Sequence, residues 1–175
     1  MAITRQTLFG TDLLLRDGAG GADLGLQGPV GASGDIARAS GNDNIIQALT
    51  MRLRVRKGEL TLLGWPDFGS RLHELIGEPD LPRTRLKAQV FARDAVEADP
   101  RVLKVEAVDV VRLPGERQIL RLMLTVRVIS TTSMTPPLNL VYALALDGLS
   151  ATVIGASEVG SPVLGNASPG GLETP

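Results

Sequence analysis

Residues 51–78 read MRLRVRKGELTLLGWPDFGSRLHELIGE, and their interpretation sets how the rest of the chain is parsed. The stretch joins a basic helix end to a turn at Gly58, then runs through the loop Trp65-Pro66-Asp67-Phe68-Gly69-Ser70 into a second short, leucine-bearing helix. Upstream, Ser40 with Asp43 has the spacing of a capping box, and Ile45, Ile46, Leu49 and Leu53 then fall on one helical face. Arg52, Arg54, Arg56 and Lys57 crowd the last turn, where cations oppose the negative end of the helix dipole, and Gly58 suits a left-handed cap. Downstream, a second helix is expected over about 70–76, stopping at Gly77 and Pro79. A third is expected over about 83–98, turning Leu86, Val90, Phe91 and Ala95 inward and ending before Pro100, which cannot continue it.

Beyond Pro100 the apolar period changes from 3.6 to 2. Pro114-Gly115-Glu116-Arg117 is a turn, and Leu120, Leu122, Leu124, Val126 and Val128 then alternate with Arg121, Met123, Thr125 and Arg127. This predicts a half-buried antiparallel hairpin, with a third strand over about 139–146. The fold class expected is α+β, about three helices packed on a small antiparallel sheet, with extended N- and C-terminal arms. The arms follow from composition. Residues 18–34 hold seven glycines, and residues 148–175 hold six glycines, three prolines and two charged residues. Such segments bury too little apolar area to offset their ordering entropy. The boundaries expected are an arm over 1–39, a domain over 40–147 and an arm over 148–175.

A chain of 175 residues fits one domain with a core of its own. The absence of cysteine excludes disulfides and thiolate metal sites and agrees with a reducing compartment, and a single histidine leaves few routes to a zinc site. A net charge of −1 offers no general basic field for nucleic acid. Met1-Ala2-Ile3-Thr4-Arg5 leads into no apolar signal core, and the run from Val141 to Leu149 is broken at Asp147, so a cytoplasmic, non-membrane protein is expected.

No catalytic residues and no cofactor are expected. Asp67-Phe68-Gly69 matches a kinase tripeptide, but the glycine-rich loop, strand lysine and catalytic loop that must accompany it are missing. His73 and Glu74 are adjacent, so on a helix they point about 100° apart and share no proton-transfer target. Trp65 and Phe68 are read as packing on the core, with Gly69 allowing close approach before a Ser70 cap; the alternative is a partner contact. The arginines around Arg54 stabilise the helix end and suit bidentate pairing with a partner's carboxylates better than nucleic-acid binding. Asp99-Pro100-Arg101 reads as a helix stop followed by a solvated corner.

Four short motifs occur in a fixed order: Arg54-Val55-Arg56-Lys57-Gly58-Glu59, Asp67-Phe68-Gly69-Ser70, Leu72 to Pro79, and Asp99-Pro100-Arg101-Val102. In that order and spacing, over roughly residues 42–146, the chain resembles the baseplate-wedge or tail-sheath-initiator family of contractile phage tails and related injection systems. Asp99 stands where that family usually has Glu, one methylene longer. The resemblance implies a non-catalytic structural adaptor joined to baseplate wedge proteins and templating the first ring of sheath protein, near spike, hub and tube proteins, in six copies per particle. It also implies that Asp99, Pro100 and Arg101 dock the wedge. Strand addition at an exposed sheet edge would supply main-chain affinity for sheath. The residues expected to meet partners are therefore Asp99, Pro100, Arg101, Trp65, Phe68, Arg54, Arg121, Arg127, Tyr142 and Ala143, the last two on a strand expected beside the open edge. A small regulatory binding module of the same fold, or an enzyme subunit completed by another chain, are the alternative readings.

Overall fold

In the computed structural model, the residues described are 8–18, 21–27, 35–116, 118–129, 136–147 and 151–158, of which 17–18, 21–22, 27 and 151–158 are described by backbone alone. Strands β1 (Thr11–Leu13), β2 (Leu15–Gly18), β3 (Gly21–Leu24), β4 (Leu26–Gln27), β5 (Asp35–Ile36) and β6 (Arg38–Ser40) precede helix α1 (Asn42–Arg54). Helix α2 (Pro82–Glu97) follows, then β7 (Val102–Val111), β8 (Ile119–Val128), β9 (Leu138–Ala145) and β10 (Ala151–Glu158). The last four form one antiparallel sheet in the order β10-β9-β8-β7.

The alternation read in β8 holds: Leu120, Leu122, Leu124, Val126 and Val128 are all buried against the helices. Val105, Val108 and Val110 from β7 and Leu138, Leu140, Tyr142 and Leu144 from β9 join them on that face. Ile45, Leu49 and Leu53, four residues apart on α1, close the core from the other side.

The expectation of about three helices on a small sheet with extended arms is corrected. Among the described residues two α-helices, α1 and α2, run beyond a single turn. The helix expected over 70–76 is a 3-10 turn at Leu72–Leu75. Leu72 and Leu75 are its buried residues, and the three-residue period of the turn puts both on one side. The sheet gains a fourth strand, β10, from a segment whose composition suggested an arm; the rest of that arm, 148–150 and 159–175, lies outside the described residues. In the N-terminal region, β1 pairs with β6, β2 with β3 and β4 with β5. The ladders meet where Leu14 N–H donates to Ala37, Gly25 N–H to Leu14 and Ala37 N–H to Gly25. Gln47 of α1 then holds this region in place, accepting from Leu15 N–H and donating to the Leu13 carbonyl, each at 2.8 Å.

Two local expectations also change. Ser40 lies in β6 opposite Thr11, and Gly41 (φ 59°) is the residue before α1, which has no side-chain cap. On α2 the buried face is Thr84, Ala88, Ala92, Ala95 and Val96, while Leu86 and Val90 are exposed and Phe91 only partly packs. Alanine lets the helix approach β7 closely, so the small residues win the inward face over the larger ones.

Gly69 shows the tightest constraint. Its φ is +105°, and a Cβ there would lie 2.7 Å from the Val55 carbonyl oxygen and 2.8 Å from the Arg56 backbone. The chain after the loop runs beside the exit of α1: Ser70 N–H donates to Val55, Lys57 N–H to Ser70, and Ser70 Oγ to the Leu53 carbonyl at 2.7 Å. Gly69→Ala is expected to lower stability by about 3 kcal/mol, from the left-handed backbone and the clash together, and to drop the melting temperature by roughly 8 °C. A melting curve within a degree of the unaltered protein would contradict this.

Candidate docking site

The Asp99-Pro100-Arg101 corner sits between the end of α2 and the start of β7. It is not a solvated corner. Asp99 is 3% exposed and accepts the Arg101 fork, Nε to Oδ1 at 2.9 Å and Nη2 to Oδ2 at 2.8 Å, together with the Arg101 backbone N–H at 3.0 Å. Arg52, buried in the last turns of α1, adds its Nε at 3.3 Å. Arg101 also donates Nη1 to the Phe9 carbonyl at 3.2 Å, and Asn44 Nδ2 donates to the same oxygen at 2.7 Å. Burial pushes the Asp99 carboxyl up, but the side-chain and backbone hydrogen bonds of Arg101, with the charges of Arg101 and Arg52, outweigh it and hold the group below its ordinary value.

Arg52 connects this cluster to the aromatic loop, its guanidinium 4.7 Å from the Phe68 ring centroid. Phe68 meets Trp65 edge to face, centroids 6.4 Å apart at 88°. Phe68 is half-buried, whereas Trp65 is 61% exposed, so of the two aromatics Phe68 is the more covered by the protein. A groove of about 250 Å³ opens here, lined by Arg52, Trp65, Pro66, Phe68 and Ala98 among others. Beside it project Leu62, 98% exposed, and Leu63, 73% exposed. The projection is preorganised: Thr61, Leu63, Gly64, Trp65 and Phe68 each donate a backbone N–H within the loop. Two adjacent leucines set between Gly58 and Gly64 carried a readable signal of an apolar loop tip, but without a period to follow they were not picked out.

The other expected partner residues do not gather here. Arg54 is half-buried and borders a separate groove of about 240 Å³ between α1 and Leu14-Leu15. Arg121 pairs with Glu116 (Nε to Oε2 at 3.0 Å) and Arg127 with Glu106 at 2.8 Å, so both forks are occupied within the sheet. Hydrogen bonding and the charge of Arg121 lower the Glu116 carboxyl, against a smaller opposing effect of burial. Tyr142, 1% exposed, faces the core, and Ala143 is 8% exposed. Their strand, β9, lies between β8 and β10, so the expectation of an open edge there is corrected: among the described residues the sheet's edges are β7 and β10. A fourth strand from beyond residue 150 was not foreseen, and it covers that side.

Among the described residues no cluster of three or more His, Asp or Glu side chains is placed to hold a metal, and no helix is long and apolar enough to cross a membrane.

No protein-family model matches this chain, and no curated protein matches it. Among solved structures it is similar to the 1.44 Å crystal structure of a "putative tail lysozyme" from Geobacter sulfurreducens, with TM-score 0.51 and 22% sequence identity over 61% of this chain and 92% of that one. At that identity the likeness shows the fold. Almost the whole of that protein is thus contained in part of this one.

Asp99→Ala is expected to destabilise the fold by about 3 kcal/mol, since Arg52 is left buried beside a lost partner. Because the folded carboxyl is held low, its contribution is fully present above the unfolded value of about 3.9 and is lost as pH falls through the folded value. Urea unfolding at pH 7 and at successively lower pH should therefore show Asp99→Asn losing less on acidification than the unaltered protein. Parallel acid limbs for the two would show that this carboxylate carries none of the pH dependence.

Proposed function

We propose that this chain is a non-catalytic structural component of the baseplate of a contractile tail-like particle, linking wedge proteins to the first sheath ring. Its fold likeness to a protein named as a tail lysozyme supports a tail-related role. The ordered motifs over roughly 42–146 supply the narrower baseplate and sheath assignment. The observation that carries the reading is the preorganised apolar loop, with Leu62 98% exposed, Leu63 73% and Trp65 61%. These side chains contribute nothing to the core, and burying each against a partner would release about 1.5–3 kcal/mol. A rigid loop loses little freedom on docking.

In this reading, the loop and the groove beside Phe68 meet wedge protein, and sheath adds a strand at the β10 edge. Assembly takes place in the cytoplasm, with six copies in each particle and hub, spike and tube proteins nearby.

The test is made in the producing cell. Deleting the gene should leave tubes without sheath, and a chain carrying Leu62→Asp with Leu63→Asp should fold with unchanged stability, since both sites are exposed, yet fail to restore sheathed particles. Purified chain should leave peptidoglycan intact in a turbidity assay. Sheathed particles in the deletion strain, or clearing of peptidoglycan, would overturn the proposal.

A further inference from the structure

Among the described residues β7 is an edge strand, pairing with β8 alone in the sheet. An edge offers a row of backbone donors and acceptors, and an identical edge on a second copy can pair with it across a two-fold axis. On β7 those groups are engaged at one position. Val105 N–H donates to Glu97 Oε1 at 3.2 Å, and the Val105 carbonyl accepts from Arg93 Nη1 at 2.7 Å. Both side chains come from α2, one turn apart, and they lie 3.7 Å from one another. Together they present one acceptor and one donor to a single residue, as a neighbouring strand does.

Helix stabilisation accounts poorly for the pair. Arg precedes Glu, the weaker order for an i,i+4 pair, and the side chains are 41% and 42% exposed, where ion pairs contribute little. The surroundings point the same way. The β7 register breaks twice, between Val102 and Lys104 and between Val105 and Ala107, flanking Val105. Exposed Lys104 and Glu106 sit beside it. Bulges and charges are the recurrent means of keeping an edge from pairing. The edge also carries reasons to pair if opened, since Leu103 is 63% exposed and Val111 36%.

We infer that Arg93 and Glu97 form a surrogate strand that closes the β7 edge against antiparallel pairing with β7 of a second copy. The pair satisfies Val105 in the monomer, so dimerisation through this edge must first break two charge-assisted hydrogen bonds. This deepens the proposed function by leaving β10 as the edge that receives sheath, but it concerns the purified chain alone, so it can fail while that reading stands.

The experiment compares the full chain with Arg93→Ala/Glu97→Ala by sedimentation equilibrium and amide exchange. The double variant is expected to associate at least ten-fold more strongly than the unaltered chain, with new protection on β7 amides in the associated state. Arg93→Lys/Glu97→Gln keeps a donor and an acceptor and is expected to behave as the unaltered chain. Each single alanine variant should shift association part of the way, and reads the same property if the double variant does not fold. Unchanged association in folded alanine variants would overturn the inference. So would association without added β7 protection, or a Lys/Gln variant that associates as strongly as the double alanine.

Discussion

One carboxylate ties together five parts of this molecule. Asp99 receives Arg52 from α1 and both the side chain and backbone of Arg101 at the entrance to β7, and it lies just past the end of α2 at Glu97. Arg101 extends the connection twice, donating to Phe9 in the N-terminal segment and accepting from Ile129 N–H just after β8. A charge 3% exposed is tolerable only because its hydrogen-bonding capacity is met by two guanidinium groups and an amide. The short Asp side chain suits this arrangement, since the Arg101 fork closes on Asp99 two residues away and the second arginine comes from a packed helix.

The same arrangement changes the meaning of the corner for partner binding. A docking arginine needs a free fork, whereas Arg101 spends its donors on Asp99 and Phe9 and is 24% exposed. What the corner does present outward is indirect: Arg52, held by Asp99, supports Phe68, and Phe68 supports Trp65 at the root of the apolar loop. The buried ion pair and the exposed loop are thus one mechanical unit, in which the corner sets the geometry of the surface that the loop presents.

The two exposed features of the sheet side are opposites in kind. The loop tip is apolar and left open, while the β7 edge is charged, bulged and bonded to α2. Edge chemistry is where a sheet can discriminate between the chains that add to it and those that do not.

The sequence by itself determined the β7–β8 hairpin, the inward face of α1, the end of α2 at Pro100 and the special backbone at Gly69, because each rests on local periodicity or on a residue with a unique conformational range. Tertiary structure decided the rest. Whether Leu72–Leu75 made an α-helix or a 3-10 turn depended on what lay beneath it. Whether residues 151–158 were an arm or a strand depended on β9 offering an edge. Which face of α2 turned inward depended on how closely β7 approached, and there alanines outcompeted Leu86 and Val90. Beyond Arg101, the other partner of Asp99 lies 47 residues away at Arg52, and that corner's link to Phe9 spans 92 residues, separations at which no local pattern carries information. Long-range hydrogen bonds form between groups that the fold brings together, and only the folded chain records which ones meet.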